Sequence, residues 1–394
     1  MSIALTPQQR RIVTVIWGTY AFYYLGRLNI SPAIPALQTS LGVGRIEIGW
    51  LGTVFFWVYT FGQIVNGELG NHIKPRYIVA LGLLVVALTN ILFSFQTALW
   101  MMLVLWGING FAQATGWAPM MRILSERLES TQRQRISTFF PMSFQVGNGL
   151  TWAAAGLMVA WGGWQMAFWL PGLIMLAVLA VWWFMDTEIA VQKSDQKNTF
   201  SLRDMGQEWR HLKWSLLASA AIGFIHTGMA IWLPTYISDI NLFPEALIGS
   251  IAGIMAIIGI VGMWFSGQLL ENLHSLRLVL SVVTSILAVI LMVGAFIPVW
   301  PQLFMMTCAV LTSSGLAGLL LGTAPMLLAK DNRVSSASGV LTAVFGLGGG
   351  LAGVMIGLVL ETSNWNMVFL LWSGCAILAL LLMQMIQQTN EVAS

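Results

Sequence analysis

Residues 78–93 read Ile78-Val-Ala-Leu-Gly-Leu-Leu-Val-Val-Ala-Leu-Thr-Asn-Ile-Leu-Phe93, a run without a single charge. Leu170–Met185 is a second run of the same kind. With its flanks, each reaches the roughly 20 apolar residues that a bilayer core requires of a helix. Working outward, the whole chain has this character: of 394 residues, 57% are hydrophobic and 8% are charged. A water-facing domain carries about 25% charged residues, so lipid must cover most of this surface. Only helices and closed barrels satisfy their backbone groups in hydrocarbon. A barrel would alternate apolar with polar in short segments, and these runs do not. The expected class is therefore an all-α membrane protein. The apolar runs place twelve spans near 12–37, 48–69, 77–96, 98–121, 137–160, 164–185, 214–237, 246–270, 277–297, 300–328, 335–359 and 364–386.

The cations test that map. Of eighteen Lys and Arg, sixteen fall before the first span or in alternate loops, among them Arg10, Lys74, Arg122, Lys213, Arg277 and Arg333. The opposite side has only Arg45, and Arg27 lies inside a span. By the positive-inside rule both termini and the central loop are cytoplasmic, and a bacterial-type inner membrane is the expected location. Arg10 and Arg11 precede an apolar run that continues through Tyr24 without a small-residue cleavage site, so it reads as the first span and not as a signal peptide. Residues 187–213 are the long polar stretch and read as a linker between 1–186 and 214–394. Within it, Leu202–Leu212 has a weak amphipathic pattern suited to the membrane surface. Cys308 and Cys375 sit in apolar runs and read as packing residues.

The two halves repeat each other. Phe144-Gln-Val-Gly-Asn-Gly149 matches Phe345-Gly-Leu-Gly-Gly-Gly350 at an offset of 201, and Trp164-Gln-Met-Ala-Phe168 matches Trp365-Asn-Met-Val-Phe369 at the same offset. Gly67-Glu-Leu69 matches Gly267-Gln-Leu269 at 200, and Pro35 matches Pro234 at 199. Four matches in one order resemble the duplicated six-helix halves of the major facilitator superfamily, whose halves are related by an axis along the membrane normal. The loop Gly67-Glu68-Leu69-Gly70-Asn71-His72-Ile73-Lys74-Pro75-Arg76 resembles that superfamily's signature between spans two and three, with Asn71 where an aspartate is usual. The resemblance implies two pseudo-symmetric six-helix bundles and a cytoplasmic gate at Gly67, Glu68, Arg76 and Arg122.

Within the superfamily, Tyr20-Ala-Phe-Tyr-Tyr24-Leu-Gly-Arg27-Leu-Asn29 resembles the first span of the organophosphate:phosphate antiporters, the glycerol-3-phosphate and hexose-phosphate carriers. Gly110-Phe-Ala-Gln113-Ala-Thr-Gly-Trp117-Ala-Pro-Met-Met-Arg122 is similar to their fourth span, and Trp232-Leu-Pro-Thr-Tyr236 to the end of their seventh. The resemblance implies a phosphate site built on a symmetric pair of cations. Arg27 is the first, and the second falls on His226, at an offset of 199. A substrate acid group bridging the two would draw the halves together. Tyr20, Tyr24 and Tyr59 retain the family's tyrosines, whereas Leu28, Gln63 and Phe144 stand where it has further cations. A ligand with less negative charge than a sugar phosphate is thereby favoured.

The residues carry their own argument. A mid-span arginine costs at least about 2.5–3.5 kcal/mol, and its planar fork suits a carboxylate, phosphate or sulfonate. No Asp or Glu falls mid-span to neutralise Arg27. Tyr20, Tyr24 and Arg27, at spacings of four and three, share one helix face. Gln113, Trp117, Gln145 and Asn148 either line the same site or make interhelical hydrogen bonds. His226 is the candidate to carry a proton; the bland alternative is a buried neutral imidazole. No catalytic triad, metal-ligand spacing, nucleotide loop or nucleic-acid signature occurs, so neither an enzyme nor a cofactor is expected. The expected function is a monomeric secondary transporter of a small organic anion. It would work by alternating access, as an anion exchanger or coupled to protons. The alternatives are an efflux pump for hydrophobic or cationic compounds and a transporter-like sensor that moves nothing.

Overall fold

The computed structural model describes residues 5–69, 73–129, 132, 142–185, 202–324 and 334–385. Among them every regular element is helical: α1 (Pro7–Tyr23), a 3-10 turn (Tyr24–Gly26), α2 (Ile30–Leu41), α3 (Arg45–Leu69), α4 (Pro75–Phe93), α5 (Leu99–Gln113), α6 (Trp117–Arg127), α7 (Met142–Trp183), α8 (Leu202–Asp239), α9 (Glu245–Leu273), α10 (Leu276–Gly294), α11 (Val299–Gly318) with a π turn at Leu319–Thr323, α12 (Val334–Thr362) and α13 (Trp365–Gln384). Nine helices among the described residues are long and apolar enough to cross a membrane. One of these, α7, carries two of the expected spans. It turns at Gly162 and Gly163, where Gly163 has φ of 74°, a conformation open to glycine and strained for other residues.

The expected first and fourth spans are not single helices. The first is α1, the 3-10 turn and α2, and the fourth is α5 followed by α6. The expected surface helix at Leu202–Leu212 is helical, but it runs without interruption into the seventh span as one helix, α8. Starts are fixed by local chemistry. Thr6 and Gln9 form a reciprocal capping box on α1, and Asn364 accepts the Met367 amide at the start of α13.

Large apolar side chains face outward along these helices: Leu81 is 61% exposed and Phe304 63%. A water-soluble surface seldom tolerates many of these together, whereas lipid requires them. Inside, the packing relies on small residues, because lipid supplies no hydrophobic drive between helices and close approach must supply dispersion instead.

The described residues group into two compact units. The first comprises Met1–Leu37, Val58–Thr199 and Pro244–Gly253. Its α7 and α9 touch backbone to backbone: a Cβ at Gly156 would lie 2.7 Å from the Gly249 Cα, and one at Gly253 would collide with the Gly149 carbonyl. The second comprises Gln38–Trp57, Phe200–Phe243 and Ile254–Ser394. Within it the first half of α3 lies on α12. A Cβ at Gly353 would collide with the Gly49 carbonyl oxygen, and Thr53 Oγ1 donates to the Gly350 carbonyl at 2.7 Å.

Candidate functional site

The sequence singles out Arg27, and the structure explains how a helix delivers it. The 3-10 turn tightens the chain after Tyr23, and residues 27–29 are not helical. The Arg27 and Leu28 amides both donate to the Tyr24 carbonyl at 3.0 Å. Two other carbonyls of this turn accept from side chains. Gln113 Nε2 donates to the Tyr23 carbonyl at 2.9 Å, and Asn109 and Asn90 donate to the Gly26 carbonyl at 2.8 and 3.1 Å. Gly26 permits this approach, since a Cβ there would stand 2.6 Å from Val86 Cγ1.

Beside the break, the half-buried Arg27 is surrounded by rings. Its guanidinium carbon lies 4.2 Å from the centre of the Tyr59 ring on α3 and 5.1 Å from that of Tyr24. Tyr20 packs edge-on against Tyr24 at 5.7 Å and tilts onto Trp117 at 5.1 Å. Tyr24 meets Phe144 of α7 at 6.4 Å. Aromatic faces attract a guanidinium through the ring quadrupole, so these rings help to hold the charge. The first unit thus brings together Arg27, Tyr20, Tyr24, Tyr59 and Trp117. Gln63 follows Tyr59 by one helical turn and is half-buried.

The amides expected near the site have protein partners. Gln113 is 4% exposed and bonds the Tyr23 carbonyl. Asn148 donates to Gln145 at 3.2 Å, one turn away on α7, and both are buried. The sequence pattern did not single out residues 29, 90 and 109, yet all three asparagines are 0% exposed. Their signal was present: an amide inside an apolar run must find a partner in hydrocarbon.

His226 belongs to the second unit. It is half-buried on α8, with Nδ1 3.5 Å from Ser313 Oγ and its ring 6.0 Å from that of Phe345. Of the expected gate, Arg76 donates to the Trp183 carbonyl and lies over the Trp183 ring at 5.3 Å, while its own carbonyl accepts from Trp182 at 3.1 Å. Arg122 pairs with Glu126 one turn on, at 2.9 Å. Gly67 and Glu68 lie in the last turn of α3; the Glu68 side chain and Asn71 fall outside the described residues.

Known proteins bear on this arrangement. The chain is 25% identical over 407 residues to a protein of Chlamydia muridarum named probable hexose phosphate transport protein, covering 94% of this chain and 89% of that one. It is 25% identical over 429 residues to the glycerol-3-phosphate transporter of Bacillus subtilis, covering 100% and 95%. Other matches are partial. The probable hexose phosphate transport protein of Chlamydia pneumoniae is 29% identical over 168 residues, 43% of this chain and 37% of that one. Among solved structures, a bacterial homologue of the human lysosomal transporter Spinster, in an inward-facing and occupied conformation, superposes with a TM-score of 0.77 at 13% identity. That superposition covers 97% of this chain and 95% of the other. The nucleoside transporter NupG gives 0.77 at 14%, covering 98% and 100%. At such identities the structures speak for the fold alone. Residues 16–333 match the family model of the Major Facilitator Superfamily, and with the helical fold, the lipid-facing surface and these relatives in agreement, the chain belongs to that superfamily of membrane transporters and is not an enzyme.

Proposed function

We propose that this chain is a secondary carrier of a small organic anion, with Arg27 as the group that binds the anion. One observation carries the proposal: a guanidinium in the expected first span, set beside a helix break and faced by the rings of Tyr24 and Tyr59. An arginine there is expensive, and its fork matches a phosphate, phosphonate, sulfonate or carboxylate. The relatives aligned over nearly their full length carry the names of phosphate-ester transporters, which favours a carrier of a phosphate ester or phosphonate over the efflux and sensor alternatives. Tyr20, Tyr24, Tyr59, Gln63, Trp117, Gln145 and Asn148 are the proposed surroundings of the ligand. With Leu28, Gln63 and Phe144 where the resembling carriers have cations, the ligand is a monoanion or an ester with one charged end.

Two six-span bundles, 1–186 and 214–394, joined by a cytoplasmic linker at 187–213, are the proposed framework. The protein would act as a monomer in a bacterial-type inner membrane, with both termini cytoplasmic and a cytoplasmic gate at Gly67, Glu68, Arg76 and Arg122. His226, the counterpart of Arg27 in the repeat, is the proposed group for proton coupling.

The test is counterflow in proteoliposomes with glycerol 3-phosphate, methylphosphonate, a sulfonate and a carboxylate as probes. Saturable movement of at least one probe, lost in Arg27→Ala, is the expected result. If no probe moves or binds, or if Arg27→Ala behaves as the wild type does, the proposal is wrong.

A further inference from the structure

We propose that Asn90, Asn109 and Gln113 are positioning residues for Arg27: three amides on α4 and α5 that hold the break in the first helical run and so fix where the guanidinium stands. This inference rests on reading Arg27 as the anion-binding group. It assigns the amides to the backbone of the break and not to the ligand.

The break has a cost that must be met nearby. Carbonyls released from a helix inside hydrocarbon find no water, so neighbouring helices must supply donors. Here they do so on both sides of Arg27. Before it, the Tyr23 carbonyl accepts from Gln113, and the Gly26 carbonyl accepts from Asn90 and Asn109. After it, Asn29 Nδ2 donates to Asn90 Oδ1 at 2.9 Å and to the Ala167 carbonyl at 2.7 Å. Asn90 therefore ties the two edges of the break to each other. Asn29, Asn90 and Asn109 are 0% exposed and Gln113 4%, so in this conformation all four act on protein groups.

A geometric argument separates positioning from mere packing. An apolar residue of similar size at position 113 would fill the same space but take the side-chain donor from the Tyr23 carbonyl, and one at position 109 would take the shorter of the two donors from the Gly26 carbonyl. The chain can recover those bonds by rewinding into a continuous α-helix. A 3-10 turn advances 120° per residue and an α-helix 100°, so rewinding three residues swings the downstream segment by roughly 60°. At the roughly 5 Å radius of a helix surface that is a displacement of about 5 Å. Ring contacts at 4.2 and 5.1 Å do not survive such a swing. The amides thus decide whether Arg27 faces Tyr59 at all.

The experiment uses the full chain in lipid nanodiscs with Asn109→Leu and Gln113→Leu, which keep volume and remove the donor. Gln302→Leu serves as the control, because Gln302 makes the same kind of amide-to-carbonyl bond, to Gly294 at 2.9 Å, in the other unit. The first readout needs no ligand. In a background of Cys308→Ser and Cys375→Ser, a short bis-thiosulfonate bridges Arg27→Cys to Tyr59→Cys. The expected rate falls at least tenfold with Asn109→Leu or Gln113→Leu and is unchanged with Gln302→Leu. The second readout is affinity for glycerol 3-phosphate and methylphosphonate with Arg27 intact, expected to fall at least tenfold in the same two variants only. Bridging and affinity that stay at the wild-type level, or fall equally in all three variants, overturn the proposal. If the wild type binds neither probe, the bridging rate alone decides the positioning role, and the anion reading falls separately. Should a leucine variant not fold, Asn109→Ala removes the same donor without added bulk.

Discussion

The Arg27 guanidinium carbon lies 4.2 Å from the centre of the Tyr59 ring, closer than its approach of 5.1 Å to Tyr24, its neighbour in the chain. A ring from α3 thus stands closer to this charge than the Tyr24 ring of its own segment. Cation–π contacts are worth about 0.5–2 kcal/mol depending on desolvation. Tyr59→Leu is expected to weaken anion affinity roughly two- to thirtyfold. Tyr59→Phe, which keeps the ring, should stay within about twofold. Titration of both variants with methylphosphonate checks this, and equal losses would show that the hydroxyl, not the ring, matters.

Arg27→Lys keeps the charge and loses the fork. An ammonium is a compact, strongly hydrated point charge and cannot reproduce a two-pronged contact with phosphate or carboxylate. Transport in Arg27→Lys should fall at least about tenfold, as a loss of affinity. Near-normal counterflow in this variant would mean that charge alone suffices.

Glycines at the α3–α12 crossing should tolerate nothing. A Cβ at Gly353 would collide with the Gly49 carbonyl oxygen and sit 2.8 Å from Thr53 Oγ1, while one at Gly374 on α13 meets nothing within 4 Å. Gly353→Val is expected to destabilise by about 1–3 kcal/mol or more through overpacking. Gly374→Ala should be neutral, or stabilising by about 0.5–1 kcal/mol through backbone entropy. Thermal unfolding in one detergent compares the two; similar melting points would refute the crossing geometry.

Arg45 is the lone cation assigned by sequence to its side of the membrane, and it donates to Asp239 at 2.8 Å, where Trp365 also donates at 2.9 Å. The pair borders a polar cleft of about 380 Å³ lined by Ser238, Asn241, Ser363 and Asn364. Half-exposed ion pairs are worth about 0–1 kcal/mol, so Arg45→Ala should shift stability only slightly. Asp239→Asn should cost no more, because the amide oxygen still accepts from Trp365. Melting curves at low and high salt test this: a large, salt-insensitive loss in Arg45→Ala would refute a solvated pair.

His226 packs against the Ser313 hydroxyl and the Phe345 ring. If it takes up the coupling proton, the imidazolium favours an anion and the neutral ring does not, so transport declines as pH rises. His226→Gln should then flatten the pH profile of counterflow. A variant profile that overlays the wild type would remove His226 from the mechanism.

Some of this was written in the sequence and some was not, and the division has a physical cause. Whether a segment prefers hydrocarbon is a sum over its own residues. The run Ile78–Phe93 therefore declared itself, and the structure places it in α4 (Pro75–Phe93) with Leu81 facing outward. The penalty for a mid-span charge is likewise local, which is why Arg27 stands out from the sequence alone. The repeat was legible because Gly, Pro and Trp positions survive at one offset. The break after Tyr23 was not legible. Spacings of four and three from Tyr20 to Arg27 presuppose a continuous helix, and only donors on other helices stabilise its interruption. Gln113 reaches Tyr23 across 90 positions and Asn109 reaches Gly26 across 83. The sequence by itself determined the solvent, the helices and which residue places a guanidinium within an apolar run. Only the tertiary structure decided where that residue points, because a hydrogen bond between distant helices depends on their packing and leaves no periodic trace along the chain.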